Sequence, residues 1–249
     1  MLDGSIQGFT ARLQEPGYLV EGCCGIWVVP PEVFPEQFAH FHRAGLLVHA
    51  HVNGDEATEL LLDVVEDALA TDPRPDHRHT AQHSQLSTPD QYRRMAALGM
   101  CANLFVNHIY YWGDQHRDRI LGPDRAQRMN TTATALRAGV PLSMHCDSPV
   151  TPMDVLSTVT IAATRTTASG DVLGESEKLT VEQALYAMTV GSAYQLKMDH
   201  EVGSIQAGKY ADFAVLAKDP LACEPQDVRK ITVLGTMVGG RAFDTPNAT

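Results

Sequence analysis

Residues 45–70 read GLLVHAHVNGDEATELLLDVVEDALA, and this stretch decides the fold class. Its first part, residues 45–52, is a short apolar run of the kind that forms a buried strand. In the part that follows, five apolar residues fall on one helical face: Leu60, Leu61, Val64, Val65 and Ala68. A buried strand followed by an amphipathic helix is the repeating unit of parallel α/β proteins.

The same alternation continues towards the carboxyl end. Three further runs predict strands: RHTAQHS with a strand around 79–84, MCANLFVNHIY at 100–110 and VPLSMHCD at 140–147. A polar loop is predicted from Trp112 to Pro123, followed by a helix that runs to about Ala138 and stops at Gly139. The spacing of strands and helices indicates a parallel sheet.

Two capping boxes predict where helices begin, because each pairs a threonine with a glutamine three residues later. Thr88 and Gln91 open the first helix, which Gly99 closes. Thr180 and Gln183 open the second, which extends to about residue 196.

The stretch after residue 202 differs in character. GSIQAGKYADFAVL and ITVLGTMVGGRAF predict short strands, with a hairpin turn at Gly239-Gly240. The prediction is therefore an α/β domain over residues 1–202 and a small β appendage over residues 203–249.

The overall composition excludes several function classes. A chain of 249 residues with 44% hydrophobic and 20% charged residues is typical of a folded domain. A formal net charge of −11 without a basic cluster argues against nucleic acid and anionic membrane surfaces as partners. Five cysteines without a CxxC pair argue against a disulfide framework and favour a reducing, cytoplasmic location.

Histidine and aspartate cluster at the predicted strand ends. Alternate residues of a strand share a face, which aligns three sets: His49 with His51, His79 with Ala81 and His83, and Ser143 with His145 and Asp147. Taken alone, a strand-end histidine is more often structural. Together, imidazoles and a carboxylate at the carboxyl ends of parallel strands indicate a divalent metal that activates a water.

These motifs resemble the amidohydrolase superfamily, specifically its N-substituted formamide deformylase-like branch, the amidohydrolase-3 group. The resemblance rests on five segments in order: DGSIQGFTARLQEPG (3–17), HAHVNGDEA (49–57), RHTAQHSQL (78–86), HCDSPVTP (145–152) and GSIQAGKYADFAVLAKDPL (203–221). It implies part of a TIM-like (β/α)8 barrel, from strand four or five to strand eight, with a portion of a β-sandwich. Gln82 departs from the pattern, since glutamate is usual there.

The resemblance implies specific roles. His51 and His83 would be metal ligands from the fifth and sixth barrel strands. Asp147 would bind the metal from the eighth strand and carry the catalytic proton. His108 matches a position near the substrate, although a surface-loop histidine is an equal alternative. The implied cofactor is a divalent metal, zinc first, with iron, manganese or nickel also accepted by such ligands.

A competing alignment places His49 and His51 on the first barrel strand, which carries two ligands in this family. Only three further strands are predicted before Gly203, so the fifth-strand alignment is preferred and His49 becomes a supporting residue. The first-strand motif and a bridging residue of the fourth strand are then expected to be missing. A half barrel exposes sheet edges, so association into a homo-oligomer or with a missing amino-terminal half is expected.

The function predicted from these observations is a metal-dependent hydrolase acting on a non-peptide carbon–nitrogen bond of a small amide. One alternative is a catalytically silent fragment or assembly partner, because the first-strand motif is missing. Another is a deaminase or lactone hydrolase of the same superfamily, since the metal chemistry is shared and the loops select the substrate.

Overall fold

The computed structural model describes residues 1–20 and 24–244, and its centre is a sheet of four parallel strands. The order of the strands in the sheet equals their order in the chain. They are β1 (His49–Val52), β2 (Thr80–His83), β3 (Cys101–Leu104) and β4 (Leu142–Met144). The prediction of a parallel α/β sheet is therefore confirmed. Each strand is shorter than its apolar run.

Helices connect and cover these strands. They are α1 (Phe34–Arg43), α2 (Asp55–Thr71), α3 (Pro89–Leu98), α4 (Asn107–Gln115), α5 (Pro123–Ala126), α6 (Thr132–Arg137), α7 (Val155–Thr164), α8 (Val181–Tyr186) and α9 (Ser192–Gln195). Two π-helical turns, His116–Ile120 and Ala187–Gly191, continue α4 and join α8 to α9. Within the described residues, short 3₁₀ turns are present at Glu175–Glu177, Pro220–Ala222 and Pro225–Lys230.

Both predicted capping boxes are present. The Thr88 hydroxyl accepts a hydrogen bond from the backbone N–H of Gln91, and the Gln91 side chain accepts one from the N–H of Thr88. Thr180 and Gln183 make the same pair of bonds. Gly99 ends α3 with φ of 72°, a left-handed conformation that suits glycine. Local chemistry decided these helix ends.

The predictions between residues 100 and 138 are wrong in part. The strand ends at Leu104, and α4 begins at Asn107 where a strand was expected to continue. The predicted loop 112–123 is largely the end of α4 and a π-helical turn. The predicted helix before Gly139 is two short helices, α5 and α6. Aromatic and branched residues such as Ile109 favour strands locally, but here the buried face of α4 packs into the core.

The two faces of the parallel sheet carry different side chains. Residues paired across neighbouring parallel strands point to the same side. One such row is apolar and buried: Ala50, Ala81, Ala102 and Leu142. The next row is polar: His51, Gln82, Asn103 and Ser143. The sheet therefore presents one polar face, which continues into the histidines beyond the strand ends.

The amino-terminal segment lies along the free edge of β1. The N–H of Leu2 donates to the carbonyl of His51 over 3.0 Å, and the carbonyl of Leu2 accepts from the N–H of Val28 over 2.8 Å. Leu2 and Ile6 are fully buried. The segment thereby brings Asp3 next to β1.

A second, antiparallel sheet of three strands follows the helices: β5 (Phe213–Leu216), β6 (Val233–Val238) and β7 (Arg241–Asp244). Gly239 and Gly240 form the predicted turn with φ of 56° and 82°. A boundary between residues 202 and 203 stays a prediction.

Two further findings concern the described residues alone. None of their helices is both long and apolar enough to span a bilayer. Their cysteines, Cys24, Cys101, Cys146 and Cys223, are free thiols. Cys23, the fifth cysteine of the sequence, lies outside the described residues.

Candidate functional site

Three potential metal ligands meet at the carboxyl end of the parallel sheet. His83, His145 and Asp147 each offer one ligand atom, and these atoms lie within 4.8 Å of one another. His83 ends β2, and the other two follow β4. Parallel strands bring their carboxyl ends to one edge, so residues 62 or more apart in sequence become neighbours here.

The backbone at two of these residues is left-handed. His83 has φ of 70° and Asp147 has φ of 52°. Such values are uncommon for residues other than glycine and concentrate at functional sites. The turn at His83 also corrects the predicted alignment of His79, Ala81 and His83. His79 and Ala81 lie on the helix-covered face, whereas His83 leaves the alternation of the strand and turns its ring towards His51.

The two imidazoles of the group contact each other directly. Nε2 of His145 lies 3.2 Å from Nδ1 of His83, and the ring centroids are 4.9 Å apart. The other ring nitrogen of His145, Nδ1, lies 2.8 Å from Oδ1 of Asn103. Phe105 stacks on His145 with a centroid distance of 5.2 Å and an interplanar angle of 24°. His145 is thus held on three sides.

His51 stands beside the group of three. Its ring centroid lies 4.4 Å from that of His83. On its other side, Nδ1 of His51 lies 3.4 Å from Oδ1 of Asp3. His51 thus lies beside the group from β1, but the cluster of mutually close ligand atoms does not include it, and its role as a ligand stays a prediction.

Asp3 is a fully buried carboxylate that joins the amino-terminal segment to the site. It accepts hydrogen bonds from the backbone N–H groups of Arg12 at 2.9 Å, Asn53 at 3.0 Å and Gly54 at 2.8 Å. These bonds compensate the cost of burying the charge. They also fix the turn that follows His51.

Burial sets the protonation of the site. It lowers the pKa of His83 to about 2, and the neighbouring His145 and His51 lower that pKa further. Burial also lowers the pKa of His145 to about 4, with a smaller contribution from His51. Both rings are therefore neutral at neutral pH, the form that binds metals. Burial raises the pKa of Asp147, while His51 acts in the opposite direction.

His108 lies on α4 and is 2% exposed, so the alternative of a surface-loop histidine is wrong. Its ring packs between Phe105, at 4.4 Å, and Trp112, at 5.7 Å, and lies 6.3 Å from the ring of His83. Burial lowers its pKa well below the ordinary value. Its predicted contact with substrate stays a prediction.

His49 lies on the same face of β1 as His51 but is exposed. Burial lowers the pKa of His49, and the side chain of Gln82, the residue that departs from the expected glutamate, acts in the opposite direction. The supporting role of His49 stays a prediction. Gln82 thus belongs to the polar face of the sheet.

The residues of the site fit a divalent metal. Two neutral imidazoles and one carboxylate are an ordinary zinc donor set. Nitrogens bound to one zinc in tetrahedral geometry stand ~3.3 Å apart, close to the 3.2 Å between His145 and His83. Nδ1 of His51, beside these residues, is a buried polar atom without a hydrogen-bond partner.

Two residues of the site received no role in the sequence analysis. His145 was a candidate on its strand but received no ligand role, because the resemblance assigns that role to Asp147. Asn103 was not singled out at all. Its only sequence signal is its place on a strand with a polar face, and its partner His145 is 42 residues away. Only the strand register brings them together.

Comparison with known proteins identifies the class. The model of a family described as "Amidohydrolase family" matches residues 1–243. The chain therefore belongs to the amidohydrolase family, as the motifs predicted.

Individual relatives agree with this assignment. A putative amidohydrolase, YtcJ of Bacillus subtilis (strain 168), is 29% identical over 246 residues, 96% of this chain and 45% of the relative. The N-substituted formamide deformylase of Arthrobacter pascens is 28% identical over 198 residues, 80% of this chain and 36% of the relative.

A crystal structure of an uncharacterised metal-dependent hydrolase from Pyrococcus horikoshii OT3 superposes with a TM-score of 0.77 and 26% identity, covering 90% of this chain and 44% of that one. The chain spans less than half the length of these proteins. The prediction of a partial amidohydrolase barrel is confirmed by the shared fold.

Proposed function

We propose that this chain supplies a divalent-metal site for the hydrolysis of a non-peptide carbon–nitrogen bond in a small amide. The observation that carries the proposal is the convergence of His83, His145 and Asp147 within 4.8 Å at the end of the parallel sheet. Membership of the amidohydrolase family supports it. We further propose zinc as the metal, on the chemistry of the donors.

The histidines and the aspartate of the site would have different roles. His83 and His145 would hold the ion as neutral ligands, with His51 beside them from β1. The metal, when bound, supplies a Lewis acid that polarises the carbonyl and lowers the pKa of the attacking water. Asp147 would accept the proton of that water and deliver it to the leaving nitrogen.

The choice of a carbon–nitrogen bond has separate support. One relative is named as an N-substituted formamide deformylase and matches 80% of this chain at 28% identity. The same metal chemistry serves deamination and lactone hydrolysis, so these reactions belong among the outcomes of the test.

The test combines metal content with turnover. The chain would be purified, dialysed exhaustively and analysed by inductively coupled plasma mass spectrometry. Substrate panels would include N-substituted formamides, other N-acyl amines, an aminopurine and a lactone. We expect near-stoichiometric zinc in the wild type, loss of most of it in His83→Ala, and turnover of an amide.

Asp147→Asn is the variant that tests the proton role. We expect it to fold normally and to lower turnover by about two to four orders of magnitude. Asp67→Asn is the matched control, because Asp67 is exposed on the outer side of α2. A wild-type chain that retains no metal, or an Asp147→Asn variant with undiminished turnover, would contradict the proposal.

A further inference from the structure

The side chain of Asn103, on the polar face of the sheet, contacts a proposed metal ligand. Its Oδ1 lies 2.8 Å from Nδ1 of His145, and Asn103 is 7% exposed. An amide oxygen only accepts hydrogen bonds, so Nδ1 of His145 must carry the proton of that contact. A neutral imidazole has one N–H, and its other nitrogen, Nε2, is then a lone pair.

The strand register produces this contact. Asn103 pairs with Ser143 across β3 and β4, so both side chains point to the polar face. His145 follows two residues after Ser143 on the same side, and its N–H donates to the carbonyl of Leu104 over 3.2 Å, which extends the ladder. Asn103 and His145 are thus diagonal neighbours whose separation is set by the backbone.

The freed nitrogen faces the site. Nε2 of His145 lies 3.2 Å from Nδ1 of His83, the atom pair that matches two ligands of one tetrahedral ion. Without the contact at Nδ1, the proton could occupy Nε2 and block the lone pair. Metal-binding histidines commonly donate their second N–H to an oxygen, and loss of that oxygen weakens metal binding.

We propose that Asn103 is a positioning residue, which fixes the proton of His145 on Nδ1 and so presents Nε2 to the metal. This inference rests on the proposed metal site and assigns to Asn103 a role that the sequence did not suggest. It also specifies Nε2 as the atom through which His145 would bind the metal.

The test measures two quantities. One is the tautomer of His145 in the metal-free protein, and the other is the affinity of the protein for Zn²⁺. Chain labelled with ¹⁵N-histidine would give long-range ¹H–¹⁵N spectra, with His145 assigned from His145→Gln. We expect the Nδ1–H tautomer in the wild type and a mixture in Asn103→Ala. In competition titrations, Asn103→Ala should bind Zn²⁺ about 10- to 100-fold more weakly.

Two further variants separate positioning from folding. Asn103→Asp keeps an accepting oxygen and should restore both the tautomer and the Zn²⁺ affinity. Ser143→Ala is the matched control, because Ser143 is the strand partner of Asn103 but bonds Gln195 and the carbonyl of Ala102. In Ser143→Ala, the tautomer of His145 and the affinity for Zn²⁺ should match those of the wild type. If Asn103→Ala does not fold, Asn103→Leu fills a similar volume without the oxygen and takes its place.

The outcomes are distinct. An unchanged tautomer in the variants that lack the oxygen, or failure of Asn103→Asp to restore it, overturns the positioning role. Weaker Zn²⁺ binding with an unchanged tautomer also overturns it, because the effect would then be structural. A wild-type chain that binds no Zn²⁺ contradicts the proposed function, while the tautomer in the metal-free protein still decides the role of Asn103.

Discussion

Nε2 of His145 and Nδ1 of His83 face each other across 3.2 Å. Burial keeps both rings neutral at neutral pH. In the metal-free protein this distance suits one shared hydrogen bond, whereas two lone pairs facing each other need a cation between them. The two nitrogens can therefore share a hydrogen bond without an ion or bind an ion together. Because the folded chain brings them together, an ion that binds there should stabilise the folded chain.

Added Zn²⁺ should raise the melting temperature of the chain, and a chelator should reverse the effect. A ligand that binds only the folded state at 100 times its Kd adds about 2.7 kcal/mol to the free energy of unfolding. His145→Ala should lose most of this gain, because one donor of the group is removed. Differential scanning fluorimetry with graded Zn²⁺ provides the measurement.

His200→Ala is the control for that experiment, since the side chain of His200 is 73% exposed and lies beside Glu201. It should respond to Zn²⁺ as the wild type does. Equal shifts for His145→Ala and the wild type would show that the ion binds elsewhere.

A second histidine pair lies on the helix-covered face of the sheet. Nε2 of His79 lies 2.9 Å from Nδ1 of His42, and Nδ1 of His79 accepts from the N–H of Val48 over 3.1 Å. Nε2 of His79 must therefore carry the proton that His42 accepts. His42 in turn donates through Nε2 to the carbonyl of Asp72 over 2.8 Å. This chain of hydrogen bonds can form only while both rings are neutral.

Acid should destabilise the chain through this pair. Burial lowers the pKa of His79 to about 3, and the nearby His77, His42, Arg74 and Lys197 act in the same direction. The ordinary pKa is 6.5, so the unfolded chain binds more protons below that value. The stabilisation is fully present above pH 6.5 and is lost as the pH falls towards 3. Each such group contributes at most about 1.4 kcal/mol per pH unit.

Urea unfolding at several pH values between neutrality and the acid limit measures this loss. The variant His79→Gln cannot take up the proton, so its free energy of unfolding should depend less on pH than that of the wild type. His40→Gln, on the exposed side of α1, should keep the wild-type slope. If the free energy of unfolding depends on pH equally in His79→Gln and the wild type, protonation of His79 is not the cause of the acid sensitivity.

The buried carboxylate of Asp3 should matter for stability. It accepts backbone hydrogen bonds from Arg12, Asn53 and Gly54. Asp3→Ala leaves these N–H groups unsatisfied, and we expect a loss of about 3 kcal/mol in the free energy of unfolding. Asp3→Asn, which keeps one oxygen, should lose less.

Chemical denaturation gives the comparison, with Asp67→Ala as the exposed control. A change for Asp3→Ala no larger than that of the control would mean that the amino-terminal segment is not anchored through Asp3.

The sequence predicted those parts of the fold that local chemistry decides. Thr88 with Gln91 and Thr180 with Gln183 bond within one turn, so their helix starts are visible in the sequence. The start of α4 at Asn107 was not, because a short apolar run is compatible with a strand or a buried helix.

The candidate site shows the same division. His51, His83 and Asp147 stand out through motifs that resemble a family. The side to which His83 turns depends on one backbone angle, φ of 70°, which no pattern of alternation reveals. The contact between Asn103 and His145 depends on the register of two strands, and register is a tertiary property.

The strand order β1-β2-β3-β4 has a consequence for the way the chain is made. Each new strand pairs with the strand synthesised just before it, so no strand has to enter between two that are already paired. The sheet can therefore lengthen in step with translation, as successive segments leave the ribosome. In that sequence of events Asp147 arrives last, and the site closes only when β4 has docked.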